Sequence, residues 1–227
     1  MTGRDLVSNA VQDYLKVIYK LANAPHAAEK VTTSVLAERM KVSAASASNM
    51  IKKLAEIRLL RHAPYQGVEL TEAGEKIALE IIRYHRLLEL YLRDALGYDW
   101  DQVDEEADRL EHAISEDFEK RIDIALGHPT VGAHGEPIPT KNGDIAVHRY
   151  HRLSDLGTGQ RACIRQVSDR NPEMLRYLDE SGLVLGTKIE IREKVPFKGP
   201  LLLLALEAGR EQHIGLEVAE SVFVEMA

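Results

Sequence analysis

Cysteine is nearly absent from this sequence, since Cys163 is the only one among 227 residues. A single cysteine excludes an internal disulfide framework and suits a reducing compartment, so we expect a cytoplasmic protein. Long apolar runs are also missing, because the longest, residues 201–206, is far too short for a membrane-spanning helix. The first residues lack a basic region followed by an apolar stretch, so no secretion signal is expected. These absences argue against a disulfide-stapled secreted domain and predict no membrane partner.

Acidic and basic residues are unevenly distributed along the chain. The net charge is -7, yet residues 1–73 hold 10 Lys and Arg against 7 Asp and Glu, a balance of +3. Residues 74–140 hold 7 against 16, a balance of -9, and residues 141–227 hold 12 against 13, a balance of -1. A mildly basic N-terminal third beside an acidic middle is typical of a DNA reader joined to a cation-binding module.

Hydrophobic periodicity in the first third of the chain predicts a winged helix-turn-helix. The predicted elements are a helix over residues 6–21, two short helices capped by Thr33 or Ser34 and by Ser43, and strands over residues 59–61 and 68–70. The two short helices are joined by a three-residue turn, and the two strands form the hairpin of the wing.

The rest of the chain changes from helical to strand periodicity. Long helices are predicted from Thr71 to about Leu96 and over residues 102–126. Residues 128–148 are rich in Gly and Pro and have no regular period, so they predict a loop. Short strands separated by glycine turns then predict a small β-barrel. The predicted strands cover residues 162–167, 188–192, 201–206 and 222–225.

The second short helix has the composition of a DNA-reading helix, with no acidic residue between Lys41 and Lys53. Small and hydroxyl side chains let a helix enter the major groove closely, and lysines one turn further on can contact phosphates. A solvent-exposed helix and an exposed turn at the wing tip are the alternatives. The predicted DNA contacts are Thr33, Ser43, Ala44, Ser46, Ala47, Asn49, Lys52, Lys53, Tyr65 and Gln66.

Histidines and carboxylates recur at helical spacing in the acidic middle of the chain. His85 and Glu89 are four residues apart, and so are Asp108 and His112, with Glu111 between them. Residues four apart share one face of a helix, so two such sets on antiparallel helices can converge on one cation. Imidazole and carboxylate ligands without a thiolate favour manganese or ferrous iron over zinc or copper. The alternative for so acidic a segment is a solvated helix face.

Six short motifs follow one another along nearly the whole chain. They are residues 13–19 (DYLKVIY), 52–54 (KKL), 70–74 (LTEAG), 84–89 (YHRLLE), 108–115 (DRLEHAIS) and 134–139 (HGEPIP). In this order they resemble the diphtheria toxin repressor and manganese transport regulator family of metal-dependent repressors. The resemblance implies a mainly α chain with a small β part. Its domains would be a winged helix-turn-helix DNA-binding domain over residues 1–73, a helical metal-binding and dimerisation domain with a C-terminal loop over residues 74–148, and an SH3-like (FeoA-like) β-barrel over residues 149–227.

The resemblance also implies two metal sites. Carried over by position, the first uses Asp13, His85, Asp108, Glu111 and His112, and the second uses Glu89, His134 and Asp169. Gly132 departs from the family pattern, because several relatives carry a cysteine there, and Asp104 and Glu173 are the alternative carboxylates. Lys16 is a second departure, because some manganese-responsive relatives have a carboxylate there and an ammonium group cannot be a ligand.

The sequence therefore predicts a regulator and not an enzyme. The resemblance implies a homodimer that binds a palindromic double-stranded operator and represses metal-uptake genes. Its cofactor would be Mn²⁺, with Fe²⁺ as the alternative, and no organic cofactor is expected. Two other classes stay open: a metallohydrolase that activates water at the histidine and carboxylate cluster, and a winged-helix regulator that senses an organic ligand.

Overall fold

The computed structural model describes residues 3–23, 30–63 and 67–227. The chain divides into two compact units. Unit 1 comprises Met1–His85, Glu111–Ile114 and Pro139–Ile145, and unit 2 comprises Arg86–Leu110, Ser115–Ile138 and Ala146–Ala227. Within the described ranges, no helix combines the length and the apolar character that crossing a membrane requires.

Unit 1 contains a winged helix-turn-helix. Its elements are α1 (Asn9–Ala22), α2 (Thr33–Arg39), α3 (Ala44–Glu56), β1 (Leu60–Ala63), β2 (Gly67–Leu70) and the start of α4 (Glu72–Leu96). The two strands pair antiparallel, with Leu60 opposite Leu70. Lys41 adopts a left-handed backbone with φ of 53° in the turn between α2 and α3. The predicted succession of three helices and a hairpin is confirmed.

The core of unit 1 joins α1 to α3, the helix whose composition predicts contact with DNA. Leu15 and Ile18 of α1, Leu54 of α3 and Ile81 of α4 are fully buried in one cluster. Leu15 and Ile18 lie three residues apart, as expected for the apolar face of an amphipathic helix. Because interiors are close-packed, a constraint on α1 also restrains α3.

Side-chain caps fix where the two short helices begin. Ser43 caps α3 as predicted, since its hydroxyl oxygen accepts a hydrogen bond from the Ser46 amide at 3.1 Å. The prediction of Thr33 or Ser34 as the cap of α2 is wrong. Thr32 is the cap, and its hydroxyl oxygen accepts from the Val35 amide at 3.3 Å.

The helix predicted over residues 102–126 is in fact two helices, α5 (Val103–Leu110) and α6 (Glu116–Ala125). The break comes from Ser115, which caps α6 by accepting a hydrogen bond from the Phe118 amide at 3.2 Å. A capping serine competes with the helix for the backbone amide. The prediction that Asp108 and His112 share one helix face is therefore wrong, because α5 ends before His112.

The C-terminal part of unit 2 is a six-stranded antiparallel sheet in the order β3-β8-β4-β5-β6-β7. Its elements are β3 (His151–Arg152), β4 (Arg161–Val167), α7 (Pro172–Glu180), β5 (Lys188–Lys194), β6 (Leu201–Ala205), β7 (Arg210–Ile214), α8 (Leu216–Ser221) and β8 (Val222–Met226). The four predicted strands are present within one or two residues. The pattern missed β3, which is too short, and β7, an edge strand in which only Ile214 is buried. It also missed the two short helices, although Asn171 and Pro172 are a strong start signal for α7.

Replacing the cap residue Thr32 should weaken unit 1. We expect Thr32→Ala to lower the free energy of unfolding by about 1 kcal/mol, because the Val35 amide loses its hydrogen-bond acceptor. Ser34→Ala is the matched control, since Ser34 is exposed within α2, and it should change stability by less than about 0.5 kcal/mol. Urea denaturation followed by circular dichroism measures both. Equal losses in the two variants would contradict the cap assignment.

Candidate metal centres

Histidine and carboxylate side chains from three segments of unit 1 meet at α1. Asp13 lies on α1, and Glu111 and His112 lie in the segment 111–114. One ligand atom from each of these three residues lies within 4.8 Å of the other two. We call Asp13, Glu111 and His112, together with their neighbours Lys16 and His85, the α1 cluster.

Gln12 determines which ring nitrogen of His112 carries a proton. The Gln12 amide nitrogen donates to the backbone carbonyls of Arg4 at 2.9 Å and Val7 at 3.3 Å. Its amide oxygen therefore faces Nδ1 of His112 at 2.8 Å and can only accept. The proton is thus on Nδ1, and Nε2 of the neutral ring has a lone pair.

That lone pair points at two carboxylates. Nε2 of His112 lies 2.8 Å from Oδ1 of Asp13 and 3.6 Å from Oε1 of Glu111. A lone pair and a carboxylate oxygen repel each other unless a positive charge lies between them. A metal ion between these atoms would supply that positive charge.

The other side of Glu111 faces two nitrogen atoms. Oε2 lies 2.7 Å from Nζ of Lys16 and 2.7 Å from Nδ1 of His85, and Glu111 and His85 are both 1% exposed. Burial alone would raise the pKa of the Glu111 carboxyl, but His85 and Lys16 outweigh it and lower that pKa to about 2. Glu111 is therefore a carboxylate at physiological pH.

Arg4 holds the segment 111–114 in place. Its guanidinium donates to the backbone carbonyls of Glu111 and Ile114 and lies over the Tyr84 ring, 3.8 Å from the centroid. Arg4 is only 5% exposed, so these charge-assisted bonds are shielded from water. The position of the Glu111 backbone therefore depends on protein contacts within unit 1.

A second set of ionisable groups lies in unit 2, and we call it the loop cluster. It consists of Glu89 on α4, His134 and Glu136 in the loop after α6, and Asp169 just after β4. His134 is fully buried and Glu89 is 2% exposed. Their side chains approach each other, with Nδ1 of His134 3.4 Å from Oε1 of Glu89.

Trp100 fixes the orientation of His134. The two rings stack with centroids 5.5 Å apart, and Nε2 of His134 lies 3.1 Å from the Trp100 carbonyl oxygen. A carbonyl can only accept, so Nε2 carries a proton and Nδ1 of the neutral ring has a lone pair aimed at Glu89. As at His112, a lone pair faces a carboxylate, although the roles of the two ring nitrogens are exchanged.

The loop cluster has an excess of negative charge. Burial opposes the charged form of His134, but Glu89, with Glu136 and Asp169, outweighs it and raises the pKa of His134 to about 9. Burial, with Asp169 and Glu89, raises the pKa of the Glu136 carboxyl. Oε2 of Glu136 is buried without a hydrogen-bond partner among the described residues. The sequence prediction missed Glu136, although its place two residues after His134 in the HGEPIP motif was a signal.

The loop that carries His134 is closed on itself and attached to β4. The Gly132 amide donates to the Glu136 carbonyl at 2.7 Å, and the Val167 amide donates to the His134 carbonyl at 2.9 Å. Gly135 has φ of 94°, and a Cβ there would lie 2.1 Å from the Arg165 carbonyl oxygen. Only glycine fits this position. Tight packing therefore determines the direction of the His134 side chain.

The remaining predicted ligands and the alternative carboxylates lie on helices of unit 2. Asp108 lies on α5 of unit 2 and is exposed, and Asp104 on the same helix is half-buried. Glu173, the other alternative carboxylate, is exposed at the start of α7. Cys163 lies on β4, where its thiol contacts the Gly186 carbonyl oxygen at 3.3 Å.

The predicted DNA-reading face is exposed at most of its positions. The exposed residues are Ser43, Ala44, Ser46, Asn49, Lys52 and Lys53. Thr33 is half-buried, and Tyr65 and Gln66 lie outside the described residues. The prediction for Ala47 is wrong, because this side chain is fully buried and cannot reach a DNA groove. Ala47 is four residues before the buried Ile51, so it belongs to the core face of α3.

Three protein-family models match consecutive parts of the chain. The iron dependent repressor N-terminal DNA binding domain matches residues 5–68. The iron dependent repressor metal binding and dimerisation domain matches residues 71–140, and the FeoA domain matches residues 151–226. These matches, with the observed helices and sheet, confirm the predicted fold class.

Proteins similar over most of their length include repressors that respond to iron or manganese. The chain is 39% identical over 207 residues to the iron-dependent repressor IdeR of Mycobacterium tuberculosis, which covers 84% of this chain and 86% of that protein. It is 28% identical over 204 residues to the diphtheria toxin repressor of Corynebacterium diphtheriae, with coverages of 84% and 87%. A solved manganese-dependent transcriptional repressor in complex with manganese has a TM-score of 0.89 and 37% identity, covering 96% of this chain and 100% of that one. The manganese regulator SloR has a TM-score of 0.76 and 32% identity, with coverages of 96% and 98%.

Substituting Gly135 should displace the loop that carries His134. Gly135→Ala puts a methyl group against the Arg165 carbonyl, so we expect a clearly lower unfolding midpoint and a changed emission of Trp100, the only tryptophan. Gly127→Ala is the matched control, because Gly127 also has a positive φ, of 72°, but its Cβ would meet nothing within 4 Å. The control should lose only the conformational term of about 1–2 kcal/mol. Equal losses would mean that the close approach to Arg165 does not constrain the loop.

Proposed function

The chain belongs to the iron-dependent repressor family, and from this premise we propose that it is a metal-activated transcriptional repressor that binds operator DNA as a homodimer. The observation that carries the proposal is the pair of buried or half-buried histidines, His112 and His134. In each of them one ring nitrogen faces a carbonyl or amide oxygen and the other faces carboxylate. Of the three predicted domains, the first (residues 1–73) would read DNA. The second (residues 74–148) would bind metal and dimerise, and the third (residues 149–227) would complete the second metal site. We propose that it acts in the cytoplasm.

Asp13, Glu111 and His112 fit a divalent metal ion, because their ligand atoms already converge within 4.8 Å. A metal ion bound there supplies the positive charge that the facing lone pair and carboxylates require. His85 supports this site through Glu111, whose Oε2 lies 2.7 Å from its ring. A group that orients a ligand in this way strengthens the site without contacting the ion.

Glu89 and His134 are the proposed centre of the second site. Asp169 and Glu136 would complete it, since both carboxylates act on the charge of His134. We propose that Glu136 takes over the role of the cysteine that several relatives have at the position of Gly132. Its buried, unpaired Oε2 supports this assignment, because a buried carboxylate oxygen without a donor is costly.

Manganese is the proposed cofactor, and ferrous iron is the alternative. Both proposed sites use carboxylate oxygen and imidazole nitrogen, a ligand set that suits Mn²⁺ and Fe²⁺. The thiol of Cys163, which would favour softer metals, contacts the Gly186 carbonyl on β4. Similar proteins carry both metals in their names, namely the manganese regulator SloR and the iron-dependent repressor IdeR.

Asp13 is the residue that would couple metal binding to DNA binding. It lies on α1, and α1 shares its buried core with α3 through Leu15 and Leu54. Fixing Asp13 to Glu111 and His112 restrains α1 and therefore α3. Without metal, α3 would sample many orientations, and only a fraction of the molecules could bind DNA at a given moment. The apparent affinity for DNA is lowered by that fraction. Ser46 and Asn49 are the proposed base contacts, and Lys52 and Lys53 the proposed phosphate contacts.

Removing His112 should weaken the response of DNA binding to metal. We expect His112→Ala to weaken manganese binding in unit 1 at least tenfold and to reduce manganese-dependent DNA affinity, while the circular dichroism spectrum stays native. DNA selected from a random library on the wild-type protein serves as the operator, titrated with Mn²⁺, Fe²⁺ or Zn²⁺ and with a chelator. His128→Ala is the control, because His128 is exposed and pairs with Asp123 instead. Wild-type affinity with an unchanged metal requirement in His112→Ala would refute the assignment.

Metal binding at the second site should release a proton from His134. The pKa of about 9 means that the ring is protonated at pH 7.5, and a metal ion needs the Nδ1 lone pair that this proton occupies. Affinity should therefore rise with pH, by about tenfold per unit, and level off above about pH 9. Calorimetry in two buffers of different ionisation enthalpy measures the release, about one proton per ion at this site. His134→Ala should remove this contribution, and an equal total release from that variant would contradict the prediction.

A further inference from the structure

A cavity of about 420 Å³ lies in unit 2 beside the loop cluster. One wall is α5 with the turn before it, and the other is the chain from Asp169 into α7. The cavity is lined by five carboxylates, those of Asp101, Asp104, Glu105, Glu106 and Asp169. The six waters around a hydrated manganese ion take up roughly 180 Å³ in all, at about 30 Å³ each. The cavity is therefore large enough to admit a hydrated divalent ion.

Two of these carboxylates connect the cavity with the loop cluster. Asp169 belongs to the cluster, and its charge acts on both His134 and Glu136. A carboxylate oxygen of Asp104 lies within 4.8 Å of one of Glu89. Glu105, by contrast, has a side chain that is 76% exposed. The lining of the cavity therefore extends from the protein surface to the buried groups of the loop cluster.

We propose that this cavity is the entry route by which a divalent metal ion reaches the loop cluster. The inference rests on the proposed second metal site and specifies how an ion gets into it. His134 is fully buried and Glu89 is 2% exposed, so a hydrated ion cannot meet either of them at the surface. Along the cavity, carboxylate oxygens can replace the waters of the ion one after another, since they are ligands that suit manganese.

The charge of the cavity favours the entry of cations. Its five carboxylates face two guanidinium groups, which leaves an excess of three negative charges. Arg109 donates to Glu105 and Glu106 on its own helix, and Arg176 donates to Asp101. A cleft lined mainly by one sign of charge raises the local concentration of counter-ions and speeds their association by about 10-fold to 10³-fold.

Both walls of the cavity are attached to the loop that carries His134. Trp100, whose carbonyl oxygen lies 3.1 Å from Nε2 of His134, directly precedes Asp101 in one wall. Val167, whose amide donates to the His134 carbonyl at 2.9 Å, is two residues before Asp169 in the other wall. The ion pair of Asp101 with Arg176 joins the two walls. These contacts hold the inner end of the route against the proposed ligands.

Blocking the cavity reversibly tests the proposal. The parent is the full-length His112→Ala variant, in which the α1 cluster binds manganese weakly. The emission of Trp100, which stacks on His134, reports an ion at the loop cluster. Adding Cys163→Ser and Gln102→Cys leaves one thiol, on an exposed residue of the cavity lining, for a neutral benzyl methanethiosulfonate.

Stopped-flow mixing with Mn²⁺, and then with a chelator, measures association and dissociation. The block should slow both at least tenfold and leave the equilibrium affinity unchanged within twofold, because a route sets the rates in both directions and not the equilibrium. Reduction of the label should restore both rates. The same label on Glu220→Cys is the control, since Glu220 is exposed on α8 outside the cavity lining, and it should change neither rate.

Removing charge from the outer part of the cavity is the second test. Glu105→Gln with Glu106→Gln keeps the shape of the lining, and we expect it to lower the association rate constant at least fivefold at low salt. The difference should shrink as salt is added, because salt screens exposed charges. Glu220→Gln is the matched control and should leave the rate constant unchanged.

The contrary outcomes separate this route from the site to which it leads. Unchanged rates after blocking would overturn the route and leave the proposed second site intact. Slower association with unchanged dissociation in the blocked protein would do the same, because the label would then act on the bound ion and not on its passage. No manganese bound to the natively folded parent, by dialysis or by Trp100 emission, would overturn the second site as well.

Discussion

The two candidate metal centres depend on one constraint: a hydrogen-bond acceptor cannot face another acceptor without a cation between them. In each centre, one nitrogen of a histidine is committed as a donor, to the Gln12 amide oxygen or to the Trp100 carbonyl. The other nitrogen then faces carboxylate, from His112 to Asp13 and from His134 to Glu89. The donor nitrogen is Nδ1 in His112 and Nε2 in His134. Two different local geometries therefore both place the second ring nitrogen against a carboxylate.

Contacts that involve no metal hold these acceptors in place. Arg4 bonds the backbone of the segment that carries Glu111, and the Val167 amide bonds the backbone that carries His134. Gly135 lets the second loop pack against Arg165. The ligand groups are therefore pre-organised before an ion binds. Ordering a flexible chain on binding would cost free energy and lower the affinity for the ion, and pre-organisation avoids this cost.

Local patterns predict the helices and the main strands because each element repeats its period over several residues. Local patterns also predict the Ser43 cap, because a cap depends only on the residue at the start of the helix and its nearest neighbours in sequence. They fail where the outcome depends on distant neighbours. Ser115 interrupts a helix whose apolar period continues past it, and Ala47 is buried although its neighbours suggest an exposed face. Glu136 resembles an ordinary loop residue in sequence, and only burial beside Asp169 gives it a raised pKa.

The nature of the resident cation distinguishes the two centres. In the α1 cluster a lysine supplies positive charge beside Glu111 through a covalently attached group that a metal ion cannot remove. In the loop cluster a proton on His134 supplies the charge, and an ion must replace it. Because the pKa of His134 is raised to about 9, this exchange depends on pH throughout the neutral range. A regulator built in this way would keep the ion pair of Lys16 with Glu111 whether or not metal is bound, while the occupancy of its second site would fall as the solution becomes more acidic.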